Sequence, residues 1–76
     1  MPTLLTLKGF KFFFYANEHE PKHIHILKDE CFAKVNLETL SVIKSTFKPK
    51  DLKFVLEVVK EHKLEFIRSW NDYFKG

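Results

Sequence analysis

"TLLTLKGFKFFFYA", residues 3–16, decides how this chain begins to fold. Two β-rich runs flank Lys8-Gly9, and glycine accepts the positive φ that a tight hairpin turn requires. A two-residue loop there pairs Leu7 with Phe10, Leu5 with Phe12 and Thr3 with Phe14. Side chains alternate between the two faces of a strand, so one face collects Leu5, Leu7, Phe10, Phe12 and Phe14. That face is apolar and suits a core. The other carries Leu4, Thr6, Lys11, Phe13 and Tyr15 and is mixed.

Downstream, "HIHILKDECFAKVNL", residues 23–37, reads as a second hairpin turning at Asp29-Glu30. Ile26 then faces Ala33 and Ile24 faces Val35, with Leu37 extending the apolar side. His23, His25, Leu27, Phe32, Lys34 and Asn36 point the other way. From Pro49, a residue favoured in a first helical turn, one long helix is predicted to run to Gly76. Leu52, Val55, Leu56, Val59, Phe66, Ile67, Trp70, Tyr73 and Phe74 form its apolar stripe. Lys63 interrupts the stripe, where its aliphatic stem can lie along it. Phe54 and Val58 fall beside the stripe and are a candidate partner-binding patch. "ETLSVIKSTF", residues 38–47, is either a short helix or a loop carrying Leu40, Val42, Ile43 and Phe47 inward.

The expected architecture is α+β in a single domain, residues 1–76. Two hairpins form a four-stranded, mostly antiparallel sheet, and one long C-terminal helix covers its apolar face. The opposite face stays partly open and gathers Lys11, Tyr15, His23, His25, Lys34 and Asn36.

Size and composition bound the rest. Seventy-six residues cannot bury a second core, and a chain 45% hydrophobic and 16% aromatic is globular. A core of this size supplies only ~3–5 kcal/mol, so a homodimer, a partner or a bound ion would add useful stability. Cys31 is the sole cysteine, which excludes an intramolecular disulfide and a cysteine zinc knuckle. The N-terminus lacks the pattern of a secretory signal, and no run reaches the ~20 apolar residues of a membrane span. A cytoplasmic location without membrane contact is expected. The net charge of +3 permits nucleic-acid contact without demanding it.

The stretch "NEHEPKHIHILKDE", residues 17–30, concentrates three of the four histidines. Three readings stay open. His23 and His25 project side by side and can grip Zn²⁺, but two ligands are too few; Glu18, His19 and Glu20 are the candidates to complete the set, with His62, on the margin of the helix stripe, a poor partner. No cofactor is the expectation and zinc the alternative. In the second reading His23 and His25 act as acid and base. Lys11 and Lys34 then neutralise phosphate, Tyr15 stacks or donates, and Asn36 contacts the substrate. Lys34 stands opposite His25, and a neighbouring ammonium favours the neutral imidazole of a general base. In the third reading these groups only solubilise an open sheet face.

Met1-Pro2-Thr3, Gly9 to Asn17, Glu20 to Ile26 and Ser69 to Phe74 together resemble a bacterial family of small proteins, domain of unknown function 4160. Its members open with Met-Pro-Thr and continue through "GFRFFFYSNE" and "EPPHIHV" motifs to "EAWNEYF". Here Lys22 replaces a common second proline, and "LKDECFAKVNL" replaces a more glycine-rich hairpin. The resemblance implies a small cognate protein encoded nearby, in an arrangement similar to type II toxin–antitoxin pairs. The function expected is therefore the toxin-like member of a two-protein module acting on RNA. If it is an enzyme, it is a metal-independent ribonuclease, with RNA's own 2′-OH as nucleophile. The alternative is a non-enzymatic metal-binding or partner-binding adaptor, or the antitoxin-like member.

Overall fold

The structure is a computed structural model and describes residues 3–15 and 20–74. Five strands form one antiparallel meander: β1 (Thr3–Leu7), β2 (Phe10–Phe13), β3 (His23–Lys28), β4 (Cys31–Asn36) and β5 (Val42–Ser45). Two helices follow, α1 (Pro49–Glu61) and α2 (Lys63–Tyr73). The α+β class and the antiparallel sheet are as expected. The sheet has five strands rather than four, and the helix is two rather than one.

Both hairpin turns fall where the sequence places them. Lys8 and Gly9 take φ of 51° and 84°, the pair of positive values that two-residue hairpin loops favour. Leu7 pairs with Phe10 and Leu5 with Phe12, but a shift between Thr3 and Leu5 sets Thr3 against Phe13 instead of Phe14. Such an irregularity is characteristic of an edge strand. In the second hairpin Ile26 faces Ala33, Ile24 faces Val35 and His25 faces Lys34. Phe12 opposite Ile26 joins the two hairpins with their apolar faces aligned.

The unexpected strand, β5, follows a turn organised by Asn36. Its Oδ1 accepts from the backbone N–H of Glu38 at 2.8 Å and of Thr39 at 2.9 Å. The Leu40 N–H donates to the Asn36 carbonyl at 2.8 Å, which closes the loop. A self-capping Asn of this kind returns the chain antiparallel, and the β-branched Val42 and Ile43 suit a strand. Val42 and Ile43 stay exposed rather than entering the core, because β5 is an edge. Phe47, just beyond it, is buried as expected.

The helices lie along β2, and each of three alternate phenylalanines receives a ring from them or their approach. Phe10 meets Phe54 at 5.2 Å, Phe12 meets Phe66 at 6.0 Å and Phe14 meets Trp70 at 5.3 Å between centroids. Val55, Val58 and Val59 complete the α1 side of the core. The proposed partner patch is thereby corrected: Val58 is buried and Phe54 is half-buried against Phe10. A helix lying on a sheet buries a wider arc than one narrow stripe. Tyr73, placed in the stripe, is instead 45% exposed at the last turn.

The single helix divides at His62, whose φ and ψ of −103° and 13° leave the helical range. Lys63 sits where the stripe would bury an ammonium, which is costly without partners. At the break its Nζ donates to the Glu38 carbonyl at 2.8 Å. No helix among the described residues is long and apolar enough to cross a membrane.

Candidate nucleic-acid interface

Alternation along the five strands settles what the uncovered sheet face presents. Register pairs Phe13 with His25, His25 with Lys34 and Lys34 with Lys44. These four side chains make a row across β2 to β5, perpendicular to the strands. Beside it runs a second row of Lys11, Leu27 and Phe32. Among the described residues, no strand position on this face is Asp or Glu.

The β2–β3 half of the row is aromatic. The Phe13 ring stacks on His25 at 5.6 Å with 27° between planes. Tyr15 stands edge-on to both, 4.5 Å from His25 and 5.1 Å from Phe13. Edge-to-face rings at these separations are mutually favourable. Phe13 is consequently buried although it faces away from the helices, while Tyr15 remains 49% exposed. With Leu27 and Phe32, these three rings wall a recess of about 260 Å³ over the Ile26–Ala33 pair.

The β4–β5 half is cationic. Lys34 and Lys44 stand side by side, and Lys44 Nζ lies 5.8 Å from the Phe32 ring centroid. Lys11 Nζ lies 5.5 Å from the Phe13 ring on the opposite flank. Both distances fall within cation–π range. The face thus joins an aromatic recess to lysines at its borders. Lys44 was missed in the sequence because β5 was not foreseen. Phe13, Leu27 and Phe32 were placed on the right face, but nothing marked them as walls of one recess.

His23 shares the side of His25 but is covered. It was expected on the open face, yet it is buried at 4% exposure. Its ring packs on Trp70 at 5.2 Å and edge-on to His25 at 5.1 Å. Nδ1 lies 2.7 Å from the Pro21 carbonyl, which can only accept, so Nδ1 carries the proton. The cause of the burial is α2: Trp70 reaches over the end of β3, and its Nε1 donates to Glu20 Oε2 at 3.2 Å. Lys22 Nζ lies 3.6 Å from the same carboxylate oxygen. The "EPKHIH" and "WNDYF" stretches are therefore joined in space.

Of the proposed site, the structure brings together Tyr15, His25, Lys34 and Lys11 on one surface. Asn36 organises the β4–β5 turn, its Oδ1 accepting from two backbone N–H groups. Of the further zinc ligands considered, Glu18 and His19 lie outside the described residues, and Glu20 Oε2 accepts from Trp70 Nε1. Among the described residues, no group of three or more His, Cys, Asp or Glu side chains could hold a metal ion. On the helix layer, a separate apolar groove of about 480 Å³ runs past Leu40, Leu52 and Leu56, edged by Lys53, Glu57 and Lys60.

A family described as Domain of unknown function (DUF4160) matches residues 9–71, from the first hairpin turn into the last helix. Neither a curated protein nor a solved structure matches the chain.

Proposed function

This chain belongs to the DUF4160 family, and we propose that it is the RNA-contacting, toxin-like member of a two-protein module similar to toxin–antitoxin pairs. The row Phe13–His25–Lys34–Lys44 carries the reading. Single-stranded nucleic acids are held by grooves that combine cations for the backbone with aromatic surfaces for the bases. This face offers both within three strand spacings, roughly 14 Å. The lack of a carboxylate among its described strand positions favours a polyanion over a cationic ligand. The module and its small cognate partner rest on the family resemblance alone.

Binding is the first function proposed, and cleavage the second. His25 is half-buried beside Lys34 and is the group on this face suited to take a proton from a 2′-OH. His23 lies beneath Trp70 and supports His25 edge-on, so it acts as a positioning residue rather than a second catalytic group. Zinc held by His23 and His25 together with Glu18 and His19 is the adaptor alternative.

The test is anisotropy of a fluorescein-labelled eight-nucleotide RNA with purified protein, with and without EDTA. Binding that weakens at least tenfold in the Lys34→Ala/Lys44→Ala variant supports the reading. Equal binding by the variant would remove RNA from this face.

A further inference from the structure

We propose that the recess beside His25 is a pocket for one unpaired nucleobase, and that the attached backbone leaves it toward Lys34 and Lys44. This inference rests on the nucleic-acid reading and makes it more specific. Along the central row the face is polarised: Phe13 and His25 lie on β2 and β3, Lys34 and Lys44 on β4 and β5, while Phe32 of β4 closes the recess and Lys11 of β2 stands at its far flank. A nucleotide has the same polarity, with a flat π-system at one end and an anion at the other.

The recess fits the base end. Its walls are Phe13, Tyr15, His25, Leu27 and Phe32, and its volume is about 260 Å³. Phe13 and His25 are stacked and Tyr15 stands edge-on to both, so the walls form one continuous aromatic cluster beside which a base can lie. The lining supplies few polar groups, chiefly the His25 imidazole and the Tyr15 hydroxyl. Such a pocket holds a base by stacking and distinguishes bases weakly. At its β5 side Lys44 lies against Phe32, which places a cation at the border of the apolar surface.

Entry requires a base free of its complement. A duplex keeps its bases stacked inside and presents phosphates and 2′-hydroxyls, so it would reach the lysines without filling the recess. The site is therefore expected to select single strands, loops and ends over paired RNA. The two parts of the face then have separable roles: Lys34 and Lys44 respond to charge, and Tyr15 and Phe32 respond to the presence of a base.

The experiment compares three labelled RNAs at fixed salt: an eight-nucleotide single strand, the same strand with its central bases removed, and its blunt duplex. Each is titrated with wild-type protein, Tyr15→Ala and Phe32→Ala. Both positions are at least 36% exposed, and thermal melts check that each variant stays folded. The intact strand is expected to bind roughly tenfold or more tightly than the abasic strand. Tyr15→Ala and Phe32→Ala are expected to erase that advantage while leaving abasic binding unchanged. Equal affinity for intact and abasic strands would overturn the base pocket and leave the lysine-borne RNA reading standing. Failure of all three RNAs to bind folded protein would overturn both.

Discussion

Trp70 donates its indole N–H to Glu20 Oε2 at 3.2 Å across a sequence separation of fifty, and its ring lies 5.2 Å from His23. One side chain from the last helix thus fixes both the residue before Pro21 and the first residue of β3. His23 in turn meets His25 edge-on, so the contact reaches the open face through two imidazoles. Trp70→Phe removes the donor and part of the buried ring. A cost of about 1–2 kcal/mol is expected, which lowers Tm by about 5–10 °C in a domain this small. Glu20→Gln keeps an acceptor oxygen and should cost about 0.5 kcal/mol or less. Circular-dichroism melts of Trp70→Phe, of Glu20→Ala, which removes the acceptor, and of their double mutant measure the coupling. Full additivity would show that the bond contributes nothing.

Phe54 and Val58 distinguish a core from a docking patch. Val58→Ala deletes two buried methyl groups and should cost about 1.5 kcal/mol. Leu64→Ala, at a position 76% exposed, should change stability by less than about 0.5 kcal/mol. Urea unfolding of the two variants provides the comparison, and equal midpoints would contradict the burial of Val58.

Asn36 has a local task. Asn36→Ala leaves two backbone N–H groups of the β4–β5 turn without their acceptor, for a loss of about 1–2 kcal/mol. Asn36→Asp retains acceptor oxygens and should recover most of that stability. RNA affinity of folded Asn36→Ala protein should match wild type. A tenfold loss of affinity at unchanged stability would return Asn36 to the binding surface.

Salt dependence follows from the lysines. Lys11, Lys34 and Lys44 on one strand of RNA should give log K against log salt a slope of about −2, since each contact on a single strand contributes about −0.7. Replacing Lys44 with Ala should make the slope shallower by about 0.7. A flat dependence would show that phosphate contacts are not the source of affinity.

Zinc gives a further division. If RNA is held by the aromatic and basic face, its affinity should be the same in EDTA. A chelator-induced fall in Tm, lost in His25→Ala, would instead favour zinc bound at the histidine strand.

Much of this arrangement was legible before folding was considered, for identifiable reasons. Gly9 and the strict alternation through Phe10, Phe12 and Phe14 set the first register, and Ile24 and Ile26 set the second. These are period-two signals in which a slip of one residue would expose the whole apolar set. β5 was illegible because its four residues carry no alternation and its exposed Val42 and Ile43 resemble buried ones. The burial of His23 was equally hidden. It depends on Trp70, and no local pattern links two stretches so far apart. The break at His62 lacks the Gly or Pro that usually marks one.

The most direct measurement is an amide chemical-shift map of ¹⁵N-labelled protein titrated with an unlabelled eight-nucleotide single-stranded RNA. The largest perturbations are expected at Phe13, Tyr15, His25, Phe32, Lys34 and Lys44, with the groove beside Leu52 and Leu56 unchanged. Perturbations confined to the helices, or none at saturating RNA, would contradict the assignment of this sheet face to nucleic acid.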